Sequence, residues 1–103
     1  MKMLQEKDWL LMLRAAEGIQ ARAESLDALV GLAALYIARG ETQEGADVLA
    51  FVLRCPDAAK DTLQRALDAW EDLARYICPR VLLDAEDFAS KATFADVVEY
   101  VFA

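Results

Sequence analysis

The chain has 103 residues, 57 % of them hydrophobic, with four Gly, two Pro and a net charge of −7. This length and apolar content fit one domain with its own core and exclude a disordered segment. Residues 1–40 carry five acids and five bases, residues 41–103 thirteen acids and six bases, and no Lys/Arg stripe occurs. Without such a stripe there is no counterion-release term, so direct binding to DNA, RNA or an anionic membrane is not expected. The acidic excess reads as a solvated, solubilising surface.

The chain reads as about six helices. Residues 3–24 place Trp9, Met12 or Leu13, Ala16, Ile19 and Ala23 at helical spacing, with Glu6, Lys7, Arg14, Glu17 and Gln20 largely opposite. This leading segment has charge on both sides of a short apolar run and no cleavage-site pattern, so it reads as an amphipathic helix and not a signal peptide. Gly18 permits a bend in it. Ser25 is expected to cap the next helix, 26–39, with Asp27 at the positive end of its dipole. From 28 to 38 the only polar side-chain atom is the Tyr36 hydroxyl. A helix apolar all round must be covered all round, by its own fold or by a partner. Eleven residues are too few to span a membrane, which needs about twenty. Gly40 stands where a left-handed residue closes a helix.

After a turn at Glu41 and Thr42, a third helix over 43–54 carries the stripe Ala46, Leu49, Ala50 and Leu53, broadened by Val48, Phe51 and Val52. Pro56 ends it. Asp57 is expected to cap the fourth, 58–77, whose apolar face is Ala59, Leu63, Ala66, Leu67, Trp70, Leu73, Ala74 and Ile77. On its outer side Asp61 and Arg65, and Glu71 and Arg75, have the i,i+4 spacing of ion pairs. Pro79 suits the first turn of a fifth helix, 79–90, with Val81, Leu82, Ala85, Phe88 and Ala89 inward. Thr93 followed by Asp96 is a capping-box variant that opens the last, 94–102, lined by Phe94, Val97, Val98 and Val101. No stretch alternates at period two, so no strand is predicted.

Catalytic machinery is hard to assemble from these residues. There is no His to act as base. Neighbouring acids such as Glu71 with Asp72, or Asp84 with Glu86 and Asp87, face different directions on a helix. Gly31, Gly40 and Gly45 do not form a phosphate loop, and residues 84–87 lack the alternating ligands and glycine of a calcium loop. Cys55 and Cys78, each before a proline, have no partner at metal-ligand spacing and are expected to be buried, reduced thiols. Trp9 and Trp70 lie on apolar stripes and read as core. No catalytic, cofactor or metal residue is assigned, and no enzyme activity is expected.

Residues 26–56 resemble one tetratricopeptide-type repeat, two antiparallel helices joined by a short Gly-containing turn. Leu29 and Leu32 stand at its Trp and Leu positions, Ala33 at its small packing residue, Tyr36 at its Tyr and Gly40 at its turn Gly. Gly45 stands where the repeat usually has Ala, Leu49 and Val52 at its later core positions, and Pro56 one residue early. From 26 to 103, the stretches 40–73, 77–89 and 94–103 look like the C-terminal end of large bacterial signalling ATPases, regulators whose tetratricopeptide-like repeats sense an inducer or partner. Their nucleotide- and DNA-binding parts lie outside the likeness, and neither activity is carried over.

The resemblance implies an all-α fold of stacked antiparallel helical hairpins closed by a C-terminal capping pair. It is one domain over 1–103, made of a leading helix (1–24), a repeat-like hairpin (26–56) and C-terminal helices (57–103). The expected function is a cytoplasmic, non-catalytic protein-interaction or sensor module in bacterial signal transduction or transcriptional regulation. A homo-oligomeric structural domain, or a bundle binding a small molecule near Tyr36 and Trp70, are the alternatives. The resemblance puts the concave surface at Asp27, Val30, Ala34, Ile37 and Ala38, too apolar for a groove left open to water. The intrachain helices are expected to enclose part of this helix and to leave some apolar surface for a protein partner or a second copy.

Overall fold

A computed structural model describes residues 22–102. Most of the leading helix predicted over 3–24 lies outside these residues. Five helices follow in chain order: α1 (Arg22–Ala38), α2 (Thr42–Leu53), α3 (Lys60–Ala74), α4 (Pro79–Lys91) and α5 (Phe94–Phe102). The described residues form no strand.

Local chemistry sets most of the boundaries. Gly40 takes φ +86°, and the chain reverses there with Glu41 N–H donating to the Tyr36 carbonyl (2.8 Å) and Gly40 N–H to the Ile37 carbonyl (3.1 Å). These two bonds are the Schellman closure expected of a glycine just past a helix end. Pro79 occupies the first turn of α4, where its missing N–H is no loss. At α5 the Asp96 carboxylate accepts from Thr93 N–H (2.9 Å) while the Thr93 hydroxyl accepts from Asp96 N–H (3.1 Å), a reciprocal box.

Two expected caps are corrected. Ser25 lies inside α1 and is 1 % exposed, because the helix already runs from Arg22. Asp57 sits in an exposed turn; α3 begins at Lys60 with Ala59 as its N-cap and no side-chain capping bond.

The core is organised around α2. Every residue from Gly45 to Val52 is buried, and α2 packs against α1, α3 and α4. Gly45 makes the closest of these approaches possible. A Cβ on it would lie 2.5 Å from Ile37 Cγ1 and 2.9 Å from the Ala33 carbonyl oxygen, distances no side chain tolerates without movement. Leu26, Leu29 and Leu32 of α1, Val48, Leu49 and Val52 of α2, Leu73 of α3 and Val97 of α5 are all buried to within 1 % of their surface. α1 also packs on α3, while α3 and α4 are not among the closely packed pairs. α3 and α4 therefore each lie on α2 instead of packing closely on one another.

Candidate functional site

The gap between α3 and α4 opens as a groove of about 250 Å³, lined by Ala50, Leu53 and Arg54 at the end of α2, Trp70 of α3 and Glu86 of α4. Trp70 and Leu53 are half-buried and Ala50 is buried, giving an apolar floor. Arg54 is the C-cap residue of α2, a place that favours a cation because helix carbonyls point outward there. Glu86 lies on the outward side of α4. Both charged groups are exposed, and no ion pair among the described residues joins them or neutralises either.

The residues expected to form an interaction surface on α1 are distributed differently. Val30 is buried, Ile37 is half-buried against Gly45, and Ala34 and Ala38 are exposed. Asp27 turns to α3, where its carboxylate accepts from the Thr62 hydroxyl (3.0 Å) and pairs with Arg65. Arg65 therefore reaches across to α1 and does not pair with Asp61, and Arg75 pairs with Asp72 (3.3 Å), not Glu71. The five positions do not share one open face. Tyr36 is buried and stays outside the groove lining, so only the Trp70 end of the expected apolar pocket coincides with it.

A part-buried polar cluster stands nearer the start of α2. The Gln43 amide donates to Asp47 Oδ1 (2.8 Å) and to the Val81 carbonyl of α4 (3.1 Å), and the Tyr100 hydroxyl donates to Asp47 Oδ2 (3.2 Å). Asp47 is only 7 % exposed. Burial raises its pKa; the bonds from Gln43 and Tyr100 work against that rise, and the charges of Glu44 and Asp84 add to it. Burial and the neighbouring Asp47 charge push Tyr100 up as well, so its hydroxyl keeps its proton and remains a donor. The cluster fastens α4 and α5 to α2, and the Tyr100 ring also packs on Phe88 with centroids 5.3 Å apart.

The thiols differ from expectation too. Cys78 is exposed and Cys55 half-buried, both free, with the Cys55 thiol donating to the Phe51 carbonyl (3.3 Å). Cys78 is the N-cap residue of α4, in the link after α3 where Tyr76, Pro79 and Arg80 are exposed with it. Among the described residues no group of His, Cys, Asp and Glu could hold a metal ion. No described helix is long and apolar enough to cross a membrane.

Comparison with family models, curated proteins and solved structures finds no match. The groove itself has an apolar floor and two opposite charges that no described residue neutralises. Such a lining can hold an amphiphilic group in place. Trp70 was visible in the sequence as an apolar-stripe residue. Arg54 and Glu86 carried no signal, since they meet only through the packing of α2 on α4.

Proposed function

We propose that this is a non-catalytic protein-interaction or sensor module, working in the cytoplasm in bacterial signal transduction or transcriptional regulation. The observation that carries the interaction reading is the groove at Trp70, an open apolar depression whose lining holds a cation and an anion that no other described residue pairs. Aromatic anchoring in a depression with a polar rim is the usual anatomy of a recognition site. The resemblance of 26–56 to a tetratricopeptide-type hairpin supports the same reading. Tyr36, Leu49 and Val52 are buried as that repeat requires, Gly40 closes the turn, and Gly45 serves as the small packing residue. The separation of α3 from α4 departs from that repeat, and we confine the likeness to the first hairpin.

A second reading, self-association, is favoured by the exposure of Tyr76 (71 %) and Leu83 (62 %). Photocrosslinking separates the two. With p-benzoylphenylalanine replacing Glu86 in the full chain, the interaction reading expects a discrete cellular adduct of foreign mass. A product of twice the chain's mass would support self-association. Absence of any specific adduct, judged against the same label at Lys60, would count against both.

A further inference from the structure

We infer that the Trp70 groove is an anchor pocket for a peptide segment presenting one bulky apolar side chain between an acidic and a basic residue. This rests on the interaction reading and names the chemistry of the partner. Size is the first reason. A groove of about 250 Å³ falls below the ~300–1,000 Å³ that encloses a drug-sized ligand, and it is open on one side, so it suits a side chain delivered by a backbone that stays outside. Charge is the second reason. Arg54 comes from the end of α2 and Glu86 from α4. Each has its own helix behind it, and they are not paired with each other. A uniformly acidic or basic segment would satisfy one and repel the other; an acid–apolar–base segment satisfies both. The cation lies at a helix C-terminus, where the outward carbonyls favour a positive charge. The floor is the third reason, because Trp70 offers a flat apolar face against which an aromatic or branched side chain loses water.

The test uses blocked tripeptides on the full-length protein, read from the indole N–H signal of Trp70 in a ¹⁵N–¹H spectrum and assigned by its loss in Trp70→Phe. Blocked aspartyl-phenylalanyl-lysine should shift that signal with a Kd of about 1 mM, the scale of a single anchor. Blocked seryl-phenylalanyl-serine should bind roughly two- to thirty-fold more weakly, the effect of removing two exposed ion pairs. Glu86→Arg should transfer the preference to the tripeptide with two aspartates, and Arg54→Glu to the one with two lysines. Both positions are exposed, so these variants are expected to fold, with unchanged circular dichroism as the check. Equal binding of all tripeptides, or none by any, overturns the proposal. So does binding of free phenylalanine as tight as that of the tripeptide, which would make the groove a small-molecule site. A crosslinked partner together with indifferent tripeptides would leave the interaction reading standing and remove only this assignment.

Discussion

The hydroxyl of Tyr100 in α5 reaches 3.2 Å across the molecule to Oδ2 of Asp47 in α2, a residue 53 positions earlier. It is a long-range bond that ties the last helix to α2. Replacing Tyr100 with Phe keeps the ring on Phe88 and removes only the donor. Asp47 then keeps Gln43 alone, and stability should fall by about 1.5–3 kcal/mol, the range for hydrogen bonds to charged groups. Urea titration at neutral pH measures it; a change under a few tenths of a kcal/mol would show that water replaces the hydroxyl.

The same carboxylate makes stability depend on pH with a definite sign. Its folded pKa lies above the ordinary 3.8, so between the two values the folded state binds more protons than the unfolded one. Stability from this group is fully present below 3.8 and declines as pH rises through the folded value. Asp47→Asn should remove that decline. Paired urea titrations across the acidic range, wild type against variant, check it, and identical slopes would contradict it.

Gly45 is a packing residue. In Gly45→Ala the new methyl meets Ile37 and the Ala33 carbonyl at once, and overpacking of this kind destabilises by about 1–3 kcal/mol. Adding Ile37→Ala should recover part of the loss and not all of it, because the backbone oxygen cannot be trimmed. Thermal denaturation of the single and double variants decides the point.

How far the sequence carried depends on how local each feature is. Gly40, Pro79 and the Thr93–Asp96 box were legible because their chemistry spans a few residues, and the structure places each at the helix end it announced. Ser25 was misplaced because the helix continues through it, and Asp57 because α3 starts three residues later. Residues 28–38 and 48–53 are both apolar runs, and nothing local says which is enclosed. Ala34 and Ala38 lie open in the first since an exposed methyl forfeits little, whereas Phe51 and Leu49 in the second do not have that freedom. The partners Asp27–Arg65 and Asp47–Tyr100, and the groove shared by Arg54 and Glu86, arise only once α2 has gathered its neighbours.

The link between α1 and α3 is also open to measurement. Asp27→Ala would strand the hydroxyl of Thr62, which is 3 % exposed, and release Arg65 to solvent. The expected loss is about 1–3 kcal/mol, the range for an unsatisfied buried group. Thr62→Val in the same background should return part of it, by taking away the orphaned hydroxyl.

Thiol chemistry should separate the two cysteines. Cys78 is exposed, whereas Cys55 is half-buried with burial holding its thiol above the usual pKa, which lowers the thiolate fraction that reacts. A disulfide reagent on the native protein should therefore titrate one thiol quickly and the second slowly, and Cys78→Ser should abolish the fast phase. Two equal fast phases would contradict this placement.

Because α4 packs closely on α2 and not on α3, residues 54–78 connect two helices that already meet, with α3 between them packed on α1 and α2. The far end of that connection is held by the Gln43 amide on the Val81 carbonyl and by the packing of α4 on α2, and its last turn is closed by the Tyr76 and Ile77 N–H groups on the Leu73 carbonyl (3.3 and 3.0 Å). The entropy of closing such a detour grows only with the logarithm of its length, about 0.6 kcal/mol for each doubling. A few residues inserted beside Tyr76, in the exposed stretch before Cys78, should thus leave both the α2–α4 seam and the packing of α3 on α1 and α2 intact. The link between α3 and α4 is therefore the place where this chain can take up added length without rebuilding its core.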